Sequence, residues 1–173
     1  MAASAFFATG CIPGEDCNPG NAFAAVSTPK RVMLDVIAWT EGTSRIGAKD
    51  GYNVMFTGRQ FGSCVQHPNV KNCSGGLCST AAGRYQFLKG TWDGLGFPDF
   101  FPASQDRGAI ELIRRRGVNL SDAAALTTSQ VMAAMDKLSY EWASLPPGRY
   151  GQPVRTMDEV VFAYRAFANN AGL

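Results

Sequence analysis

One glutamate in this 173-residue chain stands where a general acid could work. Glu41 follows the apolar run Ile37-Ala38-Trp39 and precedes Gly42, where we expect the chain to turn. A carboxyl beside a tryptophan and away from full solvation has a raised pKa, as a general acid near neutrality requires. A glutamate at a helix end also commonly points to water, so position alone leaves both interpretations open.

Glycosidic cleavage normally uses a second carboxylate, as nucleophile or as base for a water molecule. Asp50 is the nearest candidate, and Thr57 follows it at a spacing close to that of hydrolytic phage muramidases. However, Lys49-Asp50-Gly51 is typical of a turn tip, which favours a structural role for Asp50. His67, the only histidine, precedes Pro68, and we expect it to fix a loop by hydrogen bonding.

The composition argues against several classes of partner. The chain is 46% apolar, and 16 Lys+Arg against 14 Asp+Glu leave a net charge of +2. This near-balance argues against binding nucleic acid or anionic lipid by bulk electrostatics. No stretch approaches the ~20 apolar residues of a membrane span. We therefore expect a monomeric domain with no cofactor, no nucleic-acid partner and no membrane insertion.

The cysteines leave three interpretations open. Two clusters are formed by five residues, namely Cys11, Cys17, Cys64, Cys73 and Cys78. Local disulfides in an oxidising compartment are the interpretation that we favour. The alternatives are a zinc site made by Cys64, His67, Cys73 and Cys78, and inert thiols. Since the count is odd, at least one thiol stays unpaired in a monomer.

The elements that must position these residues are mainly helical. Thr28-Pro29 is typical of a helix start, and Gly42 is predicted to end that helix. The segment 51–65 has the β-branched, aromatic and glycine pattern of a small sheet, and 67–82 is predicted to be a long polar loop. Further helices are predicted over 84–95, from Ser104, and after the capping boxes that begin at Thr127 and Thr156. This arrangement predicts an α+β fold.

Residues 1–31 are predicted to form an irregular N-terminal extension. The segment lacks the positively charged start of a secretory signal, and its apolar stretch is broken by Gly10, Pro13 and two acids. We therefore expect no export by a standard route.

Several blocks together resemble, in order and spacing, the lambda-type endolysins. These blocks are Ile37–Thr43, Gly51–Val54, His67–Pro68, Ser79–Gln86, Ser104–Asp106, Trp142–Pro146 and Tyr150–Gln152. The resemblance implies that residues 32–173 form a lysozyme-like catalytic domain, with a mainly helical lobe, a small β-sheet region and an active-site cleft between them. It also implies a peptidoglycan lytic transglycosylase that uses one acid, at the position of Glu41.

The resemblance also implies a set of substrate-binding residues. Gln86 matches the glutamine that lytic transglycosylases place beside the catalytic acid, and Asn53 replaces the usual aspartate of the Gly-Tyr-Asp block. The other candidates that we expect to line the cleft are Tyr52, Ser79, Thr80, Tyr85, Tyr150 and Gln152. Core packing is an equally good interpretation of Tyr85.

Two alternative functions stay open at this point. One is a hydrolytic muramidase that uses Glu41 and Asp50, and the other is a non-catalytic cell-wall-binding module on the same fold. In each case the partner is a peptidoglycan glycan strand. A lysis enzyme made in the host cytoplasm would act in the periplasm after passing a holin-type pore, whereas a virion enzyme would arrive with the phage tail.

Overall fold

The structure is a computed structural model that describes residues 15–20, 25–45, 48–151 and 153–173. Cys11, the predicted binding residue Gln152 and most of the predicted N-terminal extension lie outside these residues. The described chain contains a short 3-10 helix, Glu15–Cys17, and one two-stranded sheet. Its α-helices are α1 (Thr28–Thr40), α2 (Lys89–Leu95), α3 (Pro102–Arg115), α4 (Thr128–Leu138) and α5 (Met157–Asn170). None of these helices is both long and apolar enough to cross a membrane.

Helix α1 is the central helix of the core and has the predicted bounds. Pro29 occupies its first turn, where a missing N–H costs nothing. Gly42 adopts a left-handed φ of 72° and ends the helix. The N–H of Thr43 then donates to the Ala38 carbonyl at 3.1 Å, which completes a Schellman-type cap. Helix α1 packs against α3 and α5, and most of its side chains are buried.

The later helices confirm two of the predicted starts and shift two others. Both capping boxes, at Thr127 and at Thr156, form as predicted. Helix α3 begins at Pro102 instead of Ser104, because a proline is well suited to the first helical turn. Helix α2 is shorter than predicted, since the chain before Lys89 turns through Gln86 at a left-handed φ of 49°.

The predicted location of the sheet is wrong. Strands β1 (Asn72–Ser74) and β2 (Leu77–Ser79) form an antiparallel hairpin inside the segment that we predicted to be a loop. The pair Gly75-Gly76, with left-handed φ values of 58° and 81°, makes its tight turn. The segment 51–65 instead makes turns and an isolated bridge between Val54 and Gln60. Tyr52 and Met55 of this segment pack into the core and Phe61 packs against it, whereas Val65 is 55% exposed.

A buried acidic side chain connects the helical core to the chain before α2. Asp106 on α3 is fully buried and pairs with Arg31 of α1 at 2.5 Å. The hydroxyl groups of Tyr52 and Tyr85 donate to its other oxygen at 2.8 and 2.5 Å. A buried charge is tolerated only when it is paired and hydrogen-bonded, and Asp106 meets both conditions.

Two disulfides account for every described cysteine. Cys17 bonds to Cys64, 47 residues further along the chain, and Cys73 bonds to Cys78 across the hairpin. The favoured prediction of disulfides therefore agrees with the structure, although the first of them spans a long separation. The zinc alternative is wrong, because sulfurs joined in disulfides cannot serve as thiolate ligands.

His67 has the predicted loop-fixing role. Its Nε2 lies 2.8 Å from the Phe87 carbonyl, and its Nδ1 accepts the N–H of Asn69 at 3.1 Å. These two contacts define a neutral ring with its proton on Nε2. Burial lowers the pKa of His67, in agreement with that neutral form.

We expect the Cys17–Cys64 disulfide to contribute more stability than the hairpin disulfide. Replacing both cysteines of the first pair by alanine should lower the free energy of unfolding by about 2–4 kcal/mol, because the bond closes a long loop. The Cys73/Cys78 pair closes a loop of only 5 residues and serves as the control, with a smaller loss. Urea unfolding measures both, and equal losses would contradict the expectation.

Candidate active site

Glu41 lies at the C-terminal end of α1, where the chain leaves the core. Its N–H donates to the Ile37 carbonyl at 2.9 Å, and this hydrogen bond fixes the Glu41 backbone to the last turn of the helix. Because Gly42 then turns the chain away, the Glu41 side chain is left at the wall of a cavity. The predicted position of Glu41 in the last turn of an apolar helix is therefore confirmed.

The cavity beside Glu41 has a volume of about 340 Å³ and lies between the hairpin and the helical part of the chain. The hairpin contributes three residues of β2 to its lining, namely Leu77, Cys78 and Ser79. The opposite lining comes from the segment 141–143 that follows α4, and Gln86 and Phe56 complete the wall. Its size suits part of a sugar chain.

Desolvation raises the pKa of the Glu41 carboxyl to about 7. The side chain is half-buried, and the tryptophan that shares its cavity is Trp142. We predicted a neighbouring tryptophan, but Trp39 does not line this cavity; its ring instead lies under the Arg155 guanidinium at 4.7 Å. The negative end of α1 also disfavours a carboxylate at this position. A carboxyl with this pKa is half-protonated near neutral pH and is suited to general acid catalysis.

Ser144 is the hydrogen-bonding partner of Glu41. Its hydroxyl donates to Glu41 Oε1 at 2.6 Å, and it lies 3.2 Å from the Thr40 hydroxyl. Hydrogen bonds from the Ser144 side chain and backbone lower the pKa of Glu41 and so oppose the effect of burial. The site therefore balances a protonated and an ionised form of one carboxyl group.

Gln86 is held in the same wall by its own backbone turn. Its amide nitrogen donates to the carbonyls of Val54 and Gly83 at 3.0 and 2.9 Å. Since both amide hydrogens are used, the Oε1 atom is the group that remains for a ligand. The backbone that precedes Gln86 is held by the core, because the Arg84 N–H donates to the buried Gln105 Oε1 at 2.9 Å.

The structure distributes the other predicted binding residues over several environments. Ser79 lines the Glu41 cavity, and Tyr150 lines an adjoining cavity. Asn53 and Thr80 are half-buried and make internal hydrogen bonds, to the Phe61 carbonyl and from the Lys89 N–H respectively. Neither of them lines the Glu41 cavity.

The structure places in the core two tyrosines that we expected to line the cleft. Tyr52 is 1% exposed and Tyr85 is 0% exposed, because both hydroxyl groups turn inward to Asp106. Tyr85 borders the adjoining cavity, but its side chain belongs to the core, as the alternative interpretation allowed. Both tyrosines support the site from behind.

Asp50 does not join Glu41. Its side chain is 66% exposed, accepts the Ser44 hydroxyl at 2.8 Å and lies 3.9 Å from the Arg84 guanidinium. The Asp50 carbonyl also accepts a hydrogen bond from Arg84. Thr57 is exposed at a left-handed φ of 82° and does not line the cavity either. The turn interpretation of Asp50 fits this geometry.

Sequence reasoning assigned no role to three residues near Glu41, of which Trp142 and Glu141 line its cavity and Ser144 binds its carboxyl group. Ser144 and Trp142 lie in a block that supported the resemblance, but we assigned them no role. Glu141, which directly precedes that block, is the other carboxylate of the described lining, and its Oε2 accepts two hydrogen bonds from Arg116 at 2.8 and 3.0 Å. In the sequence, Ser144 and Glu141 are indicated only by their position within two residues of Trp142.

Known proteins place the chain in a family. The family described as Endolysin matches residues 31–171. The endolysin of Escherichia phage lambda is 34% identical over 148 residues, covering 81% of this chain and 91% of the relative. The endolysin of Escherichia phage P2 is 37% identical over 151 residues, covering 77% and 88%.

Solved structures agree with this placement. Bacteriophage lambda lysozyme complexed with a chitohexasaccharide has a TM-score of 0.71 and 32% identity, covering 83% of this chain and 96% of that one. A second structure of lysozyme from bacteriophage lambda has a TM-score of 0.65 and 31% identity, covering 85% and 96%.

The α+β fold and the half-buried glutamate at a cleft between hairpin and helices define a lysozyme-like protein. More specifically, the chain belongs to the endolysin family, the phage enzymes that lyse the bacterial cell wall.

Removing the Ser144 hydroxyl should shift the pH dependence of activity. In Ser144→Ala the carboxylate of Glu41 loses one donor, so its pKa rises and the alkaline decline of kcat/KM moves to higher pH. Rates of cell-wall solubilisation over a pH series measure the shift. Ser121→Ala, at an exposed turn, is the control, and an unmoved profile in Ser144→Ala would contradict the assigned role.

Replacing Glu41 should stabilise the protein at alkaline pH. Folding raises the pKa of Glu41 from 4.5 to about 7, so the folded state binds the proton more tightly and loses stability as pH rises through that window. Glu41→Gln has no such proton to lose. Its free energy of unfolding relative to wild type should therefore be about 1–3 kcal/mol higher at about pH 8 than at about pH 4. Urea unfolding at both pH values tests this, and equal differences would refute it.

Proposed function

We propose that the chain is a peptidoglycan lytic transglycosylase with Glu41 as its single acid and base. It cleaves the β-1,4 bond between N-acetylmuramic acid and N-acetylglucosamine without water, and it leaves 1,6-anhydro ends on the muramic acid. The observation that carries the proposal is the half-buried Glu41 carboxyl of raised pKa, in a cavity whose other carboxylate, Glu141, is paired with Arg116 and from which Asp50 is absent. A one-acid reaction needs no more than this.

The reaction proceeds in two proton transfers at one carboxyl. Protonated Glu41 donates its proton to the glycosidic oxygen, and the bond from that oxygen to the muramic acid C1 breaks. The resulting carboxylate removes the proton from the 6-hydroxyl of the same sugar, whose oxygen bonds to C1. Glu41 ends protonated as it began, and no water enters or leaves. The attacking hydroxyl belongs to the substrate, so effective molarity replaces an activated water.

The neighbours of Glu41 support both halves of this cycle. Burial favours the protonated form that begins the reaction, and the Ser144 donors stabilise the carboxylate that forms midway. Gln86 and Ser79 line the same cavity, and the Gln86 amide oxygen and the Ser79 hydroxyl are hydrogen-bonding groups suited to sugar hydroxyl or N-acetyl groups. A balance of this kind is suited to a group that must act first as an acid and then as a base.

A hydrolytic muramidase is the second candidate function, and one observation favours it. Glu141 lines the cavity together with Glu41 and could in principle activate a water molecule. Its Oε2 already accepts both hydrogen bonds from Arg116, which occupies the carboxylate in an ion pair. A general base must be able to reach a water proton, so we favour the transglycosylase. A non-catalytic module gives no reason for a half-buried acid of raised pKa.

The substrate fixes where the protein acts. We propose that it meets the glycan strands of the cell wall in the periplasm, after passing a holin-type pore from the host cytoplasm or after delivery with a phage tail. A solved relative binds a chitohexasaccharide, in agreement with a glycan strand as the ligand of this cleft. Peptidoglycan is then the only partner that the site itself requires.

Mass spectrometry of digested Gram-negative sacculi tests the reaction. Wild-type protein should release muropeptides with 1,6-anhydro ends and should incorporate no heavy oxygen when the digestion runs in isotopically labelled water. Glu41→Gln should lower the rate by about 10²–10⁴-fold, as expected for loss of a general acid.

The exposed acid provides the matched control. Asp50→Asn should keep its rate within about threefold, because a substitution on an exposed turn has small effects. Reducing ends carrying the label would establish the muramidase instead. Undiminished lysis by Glu41→Gln would remove Glu41 from the mechanism altogether.

A further inference from the structure

A second cavity of about 420 Å³ adjoins the one that holds Glu41. The two share a wall made of Gln86, Leu88 and the segment 141–143. The second cavity adds residues from the end of α3 and from the loop after α4, chiefly Arg116, Tyr140 and Tyr150. A ligand that reaches Glu41 can therefore continue into this space.

Among the described residues that line the second cavity, Arg116 is the only cationic one. Its side chain is 38% exposed, and its Nε and Nη2 atoms both bind Glu141. The Nη2 atom also donates to the Tyr140 carbonyl at 3.2 Å. Within the described residues, Nη1 makes no hydrogen bond, whereas Nε and both hydrogens of Nη2 are used, so the Nη1 donor of a firmly held guanidinium remains for a ligand.

The two tyrosines form an exposed aromatic surface beside Arg116. Tyr140 is 50% exposed and Tyr150 is 56% exposed. The Tyr150 hydroxyl donates to the Tyr140 carbonyl at 3.0 Å, and the Arg149 guanidinium lies 3.6 Å from the centre of the Tyr140 ring. These contacts hold both rings in place before any ligand binds, which lowers the entropy lost on binding.

The chemistry of the substrate indicates what this cavity accepts. In peptidoglycan the lactyl carboxyl of muramic acid is joined to a short peptide, so the intact glycan strand itself carries no carboxylate. The carboxylates of the polymer belong to its stem peptides. The unused Nη1 donor of Arg116 suits a carboxylate, because a charge-assisted hydrogen bond to a carboxylate is stronger than one to a neutral sugar hydroxyl group.

We propose that the second cavity binds the stem peptide of the muramic acid at the cleavage site. Arg116 pairs through Nη1 with a peptide carboxylate, and Tyr140 and Tyr150 pack against the peptide. Glu141 holds the guanidinium in place at the wall shared with the Glu41 cavity. The inference rests on the proposed peptidoglycan substrate and names the part of it that determines specificity.

Glycan strands with and without stem peptides test the proposal. The latter are prepared by amidase treatment of the same sacculi, and the lactyl carboxyl groups that the amidase exposes are then converted to amides, so that these strands carry no carboxylate. Arg116→Gln should raise KM on peptide-bearing strands by about tenfold, leave kcat within about twofold, and leave KM on peptide-free strands unchanged. Arg114→Gln is the matched control, because Arg114 pairs with Glu111 at the exposed end of the same helix and does not line the cavity. An equal rise in KM on both substrates would overturn the proposal.

A second variant separates binding from folding. Arg116→Gln leaves Glu141 without its partner, whereas the double variant Arg116→Gln/Glu141→Gln removes both charges together. The double variant should unfold at a temperature close to wild type and still lose the preference for peptide-bearing strands. A retained preference would refute the role of Arg116. Counting cleaved bonds reports this preference whether the ends are anhydro or reducing, so the result is independent of the reaction type.

Discussion

Asp106 on α3 is fully buried and ion-paired, and its need for partners determines how several segments of the chain pack together. A charge in that position is stable only with close partners, and it takes them from three separate segments: Arg31 of α1, Tyr52 and Tyr85. These contacts join the helical core to the chain that carries Gln86. Positions far apart in the sequence are thereby held together behind the cleft. The residues that line the cleft are supported by these buried polar contacts.

The front of the cleft follows from how α1 ends. Gly42 turns the backbone and leaves Glu41 between a hydrophobic surround and the donors of Ser144, 103 residues away in the chain. Burial alone would keep the carboxyl neutral, and the donors alone would keep it ionised. A group that alternates between proton donor and acceptor needs neither extreme. Burial and hydrogen bonding reach Glu41 from different segments of the chain, so the pKa of Glu41 depends on the tertiary structure.

Local signals in the sequence were sufficient for some features and insufficient for others. Gly42 and the capping boxes at Thr127 and Thr156 act within a few residues, so they predicted helix bounds well. The inward orientation of Tyr52 and Tyr85 had no local signal, because their buried partner Asp106 is distant in sequence. The hairpin was missed since its strands are short, polar and stabilised by a disulfide and not by alternating apolar residues. Which tryptophan faces Glu41 likewise depends on packing between segments.

Because Cys17 and Cys64 form a disulfide, the folded protein can exist in an oxidised and a reduced form. Asp16 accepts hydrogen bonds from the Ser63 hydroxyl and the Cys64 N–H, at 2.5 and 2.8 Å, so this segment docks by polar contacts as well as by the covalent bond. The oxidised chain keeps the segment near its site even during local opening, whereas the reduced chain holds it by the polar contacts alone. How firmly the segment that contains Cys17 docks therefore depends on the thiol–disulfide poise around the protein.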